Sequence, residues 1–417
     1  MTFIDWFAGI GGIRLGFERG GHQCIGFCEY DKFATASYTS MHLITEEQLE
    51  YLNSLDLKKR QNEILKEEYR NGEWYAKDIT TVRAEDVPKA DCWCFGSPCQ
   101  SFSVAGKRAG LEGQSGLIQE IFRLLRETRE EDRPEWLFYE NVKGMFSSNN
   151  GFDFLTILLE MDELGYDAEW QLCNSKDFGV PHNRERVFTI GHLRRRSAAK
   201  VLPIESPNGT NSVPVKIIGH RDGYIRNTQI FSLDGITEAL DTAAGGGRGH
   251  HTVQIIKPSD IKNGTLISGG GGGSSQLTDF QIKGIIDDQG RTTKECIIKQ
   301  EAPTLRSQSH GNEPKVVVDI KPLGVDIANI LDTKCSQGIF VQVSDDLLVY
   351  AIWYEKEQCY IAIRKLTPRE CFRLQSFPDE YFERAQSFNS DSQLYKQAGN
   401  SVTVNVIHEI ARRMEKH

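Results

Sequence analysis

The sequence predicts an α/β protein built on a doubly wound sheet, with a smaller, irregular β-rich domain inserted before the chain returns to complete the first. Three features point there. Strand-length apolar runs alternate with amphipathic helical stretches up to about residue 192, the rhythm of βαβ units. From 193 to 360 that rhythm gives way to short strand-like runs and glycine tracts, GGGRGHH at 245–251 and GGGGGSS at 269–275. Helical periodicity then returns, so residues 1–192 plus 361–417 are expected to form one domain and 193–360 another.

At 417 residues the chain is long enough for two or three domains, and its 26% charged residues predict a soluble protein. No apolar run approaches the roughly 18 residues of a membrane helix, so no membrane partner is expected. The N-terminus, MTFIDWFAGIGG, begins at once as a strand and lacks the basic-then-apolar layout of a secretion signal, so a cytoplasmic location is expected. The ten cysteines include no C-x-x-C pair, and Cys92 and Cys94 share one apolar run; that suits neither zinc nor a disulfide framework, so reduced thiols and no metal are expected. The net charge of −9 argues against a protein that coats nucleic acid with its whole surface, but says little about one face.

Thr2 to Phe7 is a strand, Ala8-Gly9-Ile10-Gly11-Gly12 a tight turn, Ile13 to Arg19 a helix, and Cys24 to Cys28 a second strand ending in Glu29-Tyr30-Asp31. This order binds an adenosine-type cofactor, with the acid accepting hydrogen bonds from ribose hydroxyls; Glu29 is the candidate. Arg14 stands where a dinucleotide fingerprint wants its third glycine, which counts against NAD or FAD. Phe7 and Tyr30 either flank the adenine or belong to the core. Residues 44–72 read as an amphipathic, solvated helical insertion. After it, Asp78-Ile79 is placed to reach an adenine edge, although Asp78 is alternatively a helix cap.

The sharpest feature is DCWCFGSPCQSFS at 91–103, an apolar strand stopped by Gly96-Ser97-Pro98 that delivers Cys99 into a turn. A thiol at a strand's carboxyl end is placed for chemistry, since open α/β sheets bind ligands at that edge; most cysteines are instead inert packing. The small and basic residues that follow, among them Ser101, Ser103, Gly106, Lys107 and Gly110, suit a loop over a site. A helix from Ser115 to Arg129 and a strand from Glu135 to Tyr139 come next, and Glu140-Asn141-Val142 ends the strand. A nucleophile and an acid, Cys99 and Glu140, thus meet one sheet edge. Beyond a helix at 153–164 and a strand at 167–174, Arg184 and Arg186 precede a last strand, Val187 to His192; they are expected to face opposite sides, one entering the site and the other packing or touching phosphate.

In the insert, Asp234 to Ile255 and Gln300 to Val318 share an order that degenerate duplication or coincidence explains equally. From Arg184 to Arg226 nine Lys or Arg face three acids, a locally basic junction fit for a polyanion. Thr367 then caps a helix with Pro368 at its first position, running through Leu374, and a final helix spans Thr403 to Glu415.

Six segments in fixed order, FAGIGG (7–12), GSPCQSFS (96–103), ENV (140–142), PHNRERV (181–187), RKLTPRE (364–370) and KQAGNSV (396–402), resemble those of the DNA (cytosine-5) methyltransferases. His182 stands where many members carry glutamine, and Ala105 where some carry a serine that enters the duplex. The resemblance implies a Rossmann-like S-adenosyl-L-methionine-dependent domain, with 193–360 as the inserted target-recognition domain. Besides the turn residues Phe7, Ala8, Gly9, Gly11 and Gly12, and Glu29, Tyr30, Asp78 and Ile79, it assigns the cofactor to Pro98 and Leu117 and to the returning Asn400, Ser401 and Val402. S-adenosyl-L-homocysteine would be the product. Catalysis would fall to Cys99, Glu140, Arg184 and Arg186, and DNA contact to Gln100, Ser103, Lys107 and Arg248.

Cytosine C5 is a weak nucleophile, so a thiolate must add at C6 to make the ring enamine-like. Cys99 is expected to do so, Glu140 to act at N3 and Arg186 to hold O2. A stacked base cannot react, so the cytosine must leave the duplex, with Gln100 to Gly113 as the lid. Double-stranded DNA is the expected partner, alongside a restriction endonuclease acting separately. An amino-methylating enzyme would want a Pro-Pro-aromatic turn where Ser97-Pro98-Cys99 stands. An RNA cytosine methyltransferase would carry a more compact insert, and a silent DNA-binding module would not need intact Cys99, Glu140 and Arg186.

Overall fold

The computed structural model describes residues 1–97, 114–194, 200–205 and 366–414, together with the backbone of strands between 217 and 365. The chain divides into two compact units, Met1–Val215 with Ile236–Gly245 and Thr367–His417, and Lys216–Gly235 with Gly246–Leu366.

The first unit begins β1 (Thr2–Trp6), α1 (Gly12–Arg19), β2 (Gln23–Cys28), α2 (Lys32–His42), α3 (Glu46–Ser54), α4 (Leu57–Glu63) and β3 (Trp74–Ala76). It continues β4 (Cys92–Phe95), α5 (Ile118–Glu127), β5 (Trp136–Val142), α6 (Phe152–Glu163), β6 (Tyr166–Asn174), β7 (His182–Asn183) and β8 (Glu185–Leu193). All but β7 join one seven-stranded sheet in the order β3-β2-β1-β4-β5-β8-β6. β1 to β5 pair in parallel, whereas β8 lies antiparallel between β5 and β6. Alternation buries both faces, as parallel strands covered on two sides require. Trp6, Trp93, Leu137 and Tyr139 pack with Ile121 and Leu125 of α5 and Ile157 of α6. Phe3, Phe17, Phe138 and Phe188 pack on the other side with the C-terminal helix.

That helix belongs to the returning segment: α7 (Pro368–Arg373), α8 (Asp379–Gln386), α9 (Asp391–Asn400) and α10 (Val404–Ala411). Thr367 caps α7 as expected, accepting from the Glu370 N–H at 3.3 Å while the Glu370 carboxylate accepts from the Thr367 N–H at 2.8 Å. α10 runs so close to α1 that a Cβ on Gly16 would lie 2.4 Å from Ile407 Cβ. The same approach brings Ser401 and Val402 against Gly12, whose added Cβ would meet Ser401 Oγ at 2.7 Å.

The insertion at 44–72 is less solvated than expected. Leu52, Ile64 and Tyr69 are buried with Ala36, Ile44 and Phe388, and Arg60 and Gln61 donate to the carbonyls of Ser387 and Phe388 at 2.7 and 2.6 Å. It braces the returning segment. Arg14, at the third-glycine position, is likewise a staple: its guanidinium makes two 2.7 Å bonds to Glu73, where the insertion rejoins the sheet.

The strands that follow are β9 (Ile217–His220), β10 (Gln229–Ser232), β11 (Thr237–Glu238), β12 (His251–Ile256), β13 (Leu266–Ile267), β14 (Gln281–Ile286), β15 (Lys315–Asp319), β16 (Gly338–Ser344), β17 (Leu347–Tyr354) and β18 (Cys359–Lys365). β11 pairs with β7 inside the first unit. The second unit contains a seven-stranded sheet, β13-β16-β17-β18-β12-β10-β9, and a separate β14–β15 ladder. β18, which crosses the expected 360/361 boundary, pairs along its length with β12. β12 and β15, the runs that close the two similar stretches, lie in different sheets.

Candidate active site

The cofactor edge is built by a strained turn. Phe7 and Gly9 have φ of 56° and 57° and Gly11 78°, a left-handed run that only glycine adopts freely. The Ala8 N–H donates to the Cys28 carbonyl at 3.0 Å, tying the turn to β2. The Gly9 N–H donates to Glu29 Oε2 at 2.8 Å and the Asp31 N–H to Oε1 at 2.7 Å. A Cβ on Gly9 would meet nothing within 4 Å, so the turn opens onto space beside the Glu29 carboxylate. Burial pushes that carboxyl up to about 7, against the pull of the two N–H donors. Tyr30 is 68% exposed, its ring 5.6 Å from the Lys77 ammonium. Ser401 Oγ is buried without a hydrogen-bond partner among the described residues. A carboxylate, an exposed ring, an open glycine and an orphaned hydroxyl suit a nucleoside carrying a ribose diol.

Asp78 takes the capping role that the sequence left open. Its carboxylate accepts from the Thr80 N–H at 3.0 Å and hydroxyl at 2.8 Å, and Ile79 is buried in the core. Leu117 packs, half-buried, against the same cluster, and Ala8 is buried. Asn400 ends α9 and is exposed. Asp31, which the sequence left without a task, caps α2 and pairs with Lys396 at 2.7 Å, joining the cofactor edge to the returning segment.

The candidate catalytic edge lies at the ends of β4 and β5. Glu140 is buried, and its Oε1 pairs with Arg186 Nε at 3.0 Å. Its Oε2 faces Gly96, where a Cβ would stand 3.2 Å away. The pairing follows from register: Val142 lies opposite Arg186 across the β5–β8 ladder. Arg184 does not join them. It is buried, and its guanidinium donates to the carbonyls of Gly399 at 3.2 Å and Ser401 at 2.6 Å. These two bonds position the returning segment. The expected cause of the two arginines' separation was wrong, because residues two apart on a strand share a face; the break between β7 and β8 at Arg184 gives them different partners. His182 is fully buried. Pro98, Cys99, Gln100, Ser103, Lys107 and Arg248 lie outside the described residues.

Among the described residues no three His, Cys, Asp or Glu side chains gather as a metal site, and no helix is long and apolar enough to cross a membrane.

The sheet, its glycine turn and the acid–arginine pair give a doubly wound α/β architecture with open space beside a carboxylate at one strand end and a buried charged pair at another, an arrangement suited to a nucleoside ligand and to acid–base chemistry. The model of the C-5 cytosine-specific DNA methylases matches residues 1–416, and the chain belongs to that family. It is 28% identical to the orphan methyltransferase M.SPRI of Bacillus phage SPR, covering 99% of this chain and 97% of that one. With the type II methyltransferase M.HhaI of Haemophilus parahaemolyticus it shares 27% identity over 99% and 93% of the two chains. Among solved structures, the Entamoeba histolytica methyltransferase EhMeth aligns with a TM-score of 0.53 at 13% identity, over 99% of this chain and 97% of that one. The S. pombe Dnmt2 methyltransferase aligns at 0.51 and 15% identity, over 98% and 96%. These likenesses show the Rossmann-like methyltransferase fold. The chain is a cytosine-5 methyltransferase, of a family that generally draws its methyl group from S-adenosylmethionine.

Proposed function

We propose that the enzyme methylates C5 of a flipped-out cytosine within a specific duplex DNA sequence, through a covalent bond from Cys99 to C6. The Glu140–Arg186 pair carries this reading, because it sits beside the strand that runs on into Pro98-Cys99. The Cys99 thiolate adds to C6, and electrons of the C5–C6 bond are driven toward C5 while negative charge is met at O2 and N3. Glu140 delivers a proton to N3. Arg186 donates to O2, an interaction that strengthens as charge develops. When bound, S-adenosylmethionine supplies the methyl group that C5 takes up. Loss of the C5 proton to a base then expels the Cys99 sulfur as a thiolate, N3 returns its proton to Glu140, and the aromatic ring is restored. Glu29 holds the ribose of the donor, with Tyr30 at the adenine and Ser401 and Val402 closing the pocket.

The 193–360 insert is assigned the reading of sequence, since the chemistry needs nothing from it. Arg248, His250, His251, Arg306 and Gln308 offer donors to base edges, and arginine to guanine is the commonest specific contact. Gln100, Ser103 and Lys107 would meet the DNA beside the flipped base. The family's description supports DNA as substrate; of the relatives, the type II methyltransferase suits a restriction endonuclease acting separately on the same sequence, whereas the orphan phage enzyme suits a methylase acting alone. Bisulfite sequencing of plasmid from cells expressing the protein should show one protected cytosine in one recurring context, absent with Cys99→Ala. Protection confined to cellular RNA would refute the substrate assignment.

A further inference from the structure

A polar triangle lies beneath the end of β4 in the buried core. Phe95 pairs with Tyr139 across the β4–β5 ladder, and carrying that register forward sets Gly96 opposite Glu140 and Ser97 opposite Asn141. Alternation sends Tyr139 and Asn141 to one face of the sheet and Glu140 to the other. Tyr139, Asn141 and Ser97 are 0%, 1% and 4% exposed. Asn141 Nδ2 donates to the Tyr139 hydroxyl at 2.6 Å and to Ser97 Oγ at 3.3 Å, while Asn141 Oδ1 accepts from the Val142 N–H at 2.7 Å. The Tyr139 hydroxyl lies 3.3 Å from Ser97 Oγ, where either oxygen can donate, and 3.4 Å from Met145 Sδ, which can only accept.

We propose that Tyr139, acting through Asn141 and Ser97, is a positioning residue for methyl transfer, fixing the direction in which the chain leaves β4 for Pro98-Cys99. This rests on reading Cys99 as the nucleophile. Gly96 has no side chain to hold, so Ser97 is the last anchored residue before that turn. The same hydroxyl also grips Asn141, the neighbour of Glu140, so one group sets nucleophile and acid relative to each other. Attack on C6 requires near-contact alignment, and a misplacement of about 1 Å can cost on the order of 100-fold in rate.

Tyr139→Phe keeps the ring stacked on Phe95, 5.2 Å between centroids, and removes only the hydroxyl. In single-turnover reactions with a duplex carrying 5-fluorocytosine, the rate constant for adduct formation should fall about 10- to 100-fold. The KM for S-adenosylmethionine should change much less than this rate constant, because Glu29 and its glycine turn are untouched. A purely structural role would lower the melting temperature and the adduct amplitude but leave the rate constant of the folded fraction unchanged, and that result overturns the inference. Ser97→Ala should slow the reaction less and Ser97→Thr should restore it; if Tyr139→Phe does not fold, this pair decides in the same way. No adduct with the wild-type chain would overturn the Cys99 reading and this inference together, whereas equal rates in wild type and variant overturn this inference alone.

Discussion

Cofactor binding should follow the ionisation of Glu29. In the free protein burial holds this carboxyl at about 7, even though the N–H groups of Gly9 and Asp31 donate to it. Ribose hydroxyls donate hydrogen bonds, and a carboxylate accepts them far better than a carboxylic acid, so the cofactor selects the ionised form. At pH 6 only about one molecule in eleven is ionised and at pH 8 about ten in eleven, so the apparent Kd should weaken by roughly tenfold from pH 8 to pH 6. Binding near pH 7 should also release about half a proton, visible as a calorimetric heat that depends on the buffer. Glu29→Gln should abolish the pH dependence. Glu29→Ala should cost about 1 to 3 kcal/mol at pH 8, the range for a lost charge-assisted hydrogen bond. Titration calorimetry with S-adenosyl-L-homocysteine reads all three, and a wild-type affinity that is flat from pH 6 to 8 would refute the assignment of Glu29 to the ribose.

Gly96→Ala should lower kcat by about tenfold or more while sparing cofactor affinity, since its Cβ would press on Glu140 Oε2 from 3.2 Å; unchanged turnover would show that the carboxylate can move freely. Arg184→Met should destabilise the protein by about 1.5 to 3 kcal/mol for each charged hydrogen bond lost to Gly399 and Ser401, measured by urea unfolding. It should weaken cofactor binding as well, whereas a variant of wild-type stability would refute its anchoring role. Asp5, fully buried on β1, is pushed well above the ordinary carboxylate range by burial, opposed by the charge of Arg14. A raised acid contributes its stability in full below its unfolded value and loses it as pH rises through the folded one. Asp5→Asn should therefore gain on the wild type as pH rises from 5 to 8 in paired thermal melts, and a constant difference would contradict this.

The βαβ rhythm was legible because strands buried on both faces are continuous apolar runs, as in Cys92–Phe95 and Trp136–Tyr139, and because glycine turns and proline caps mark their ends. The Thr367-Pro368 cap is local chemistry and could be read directly. Strand direction is not local: nothing in Val187 to His192 announces that β8 runs backwards between β5 and β6. The task of a charged side chain was also hidden where its partner is distant in sequence. Arg184 meets Gly399 and Ser401, and Arg14 meets Glu73; alternation alone could not separate Arg184 from Arg186. Asn141 and Ser97 lay within quoted motifs and drew no role, because their bonds converge on Tyr139, which reads as core.

The covalent step is the central claim, and peptide mapping tests it most directly. The purified enzyme, incubated with S-adenosylmethionine and a duplex in which 5-fluorocytosine replaces the target base, should form a denaturation-stable complex, because fluorine cannot leave as the C5 proton does. Mass spectrometry after nuclease and protease digestion should place a methylated fluoropyrimidine on Cys99. A complex attached through another residue, or methylation of normal DNA with no trapped species on the fluorinated duplex, would contradict the mechanism.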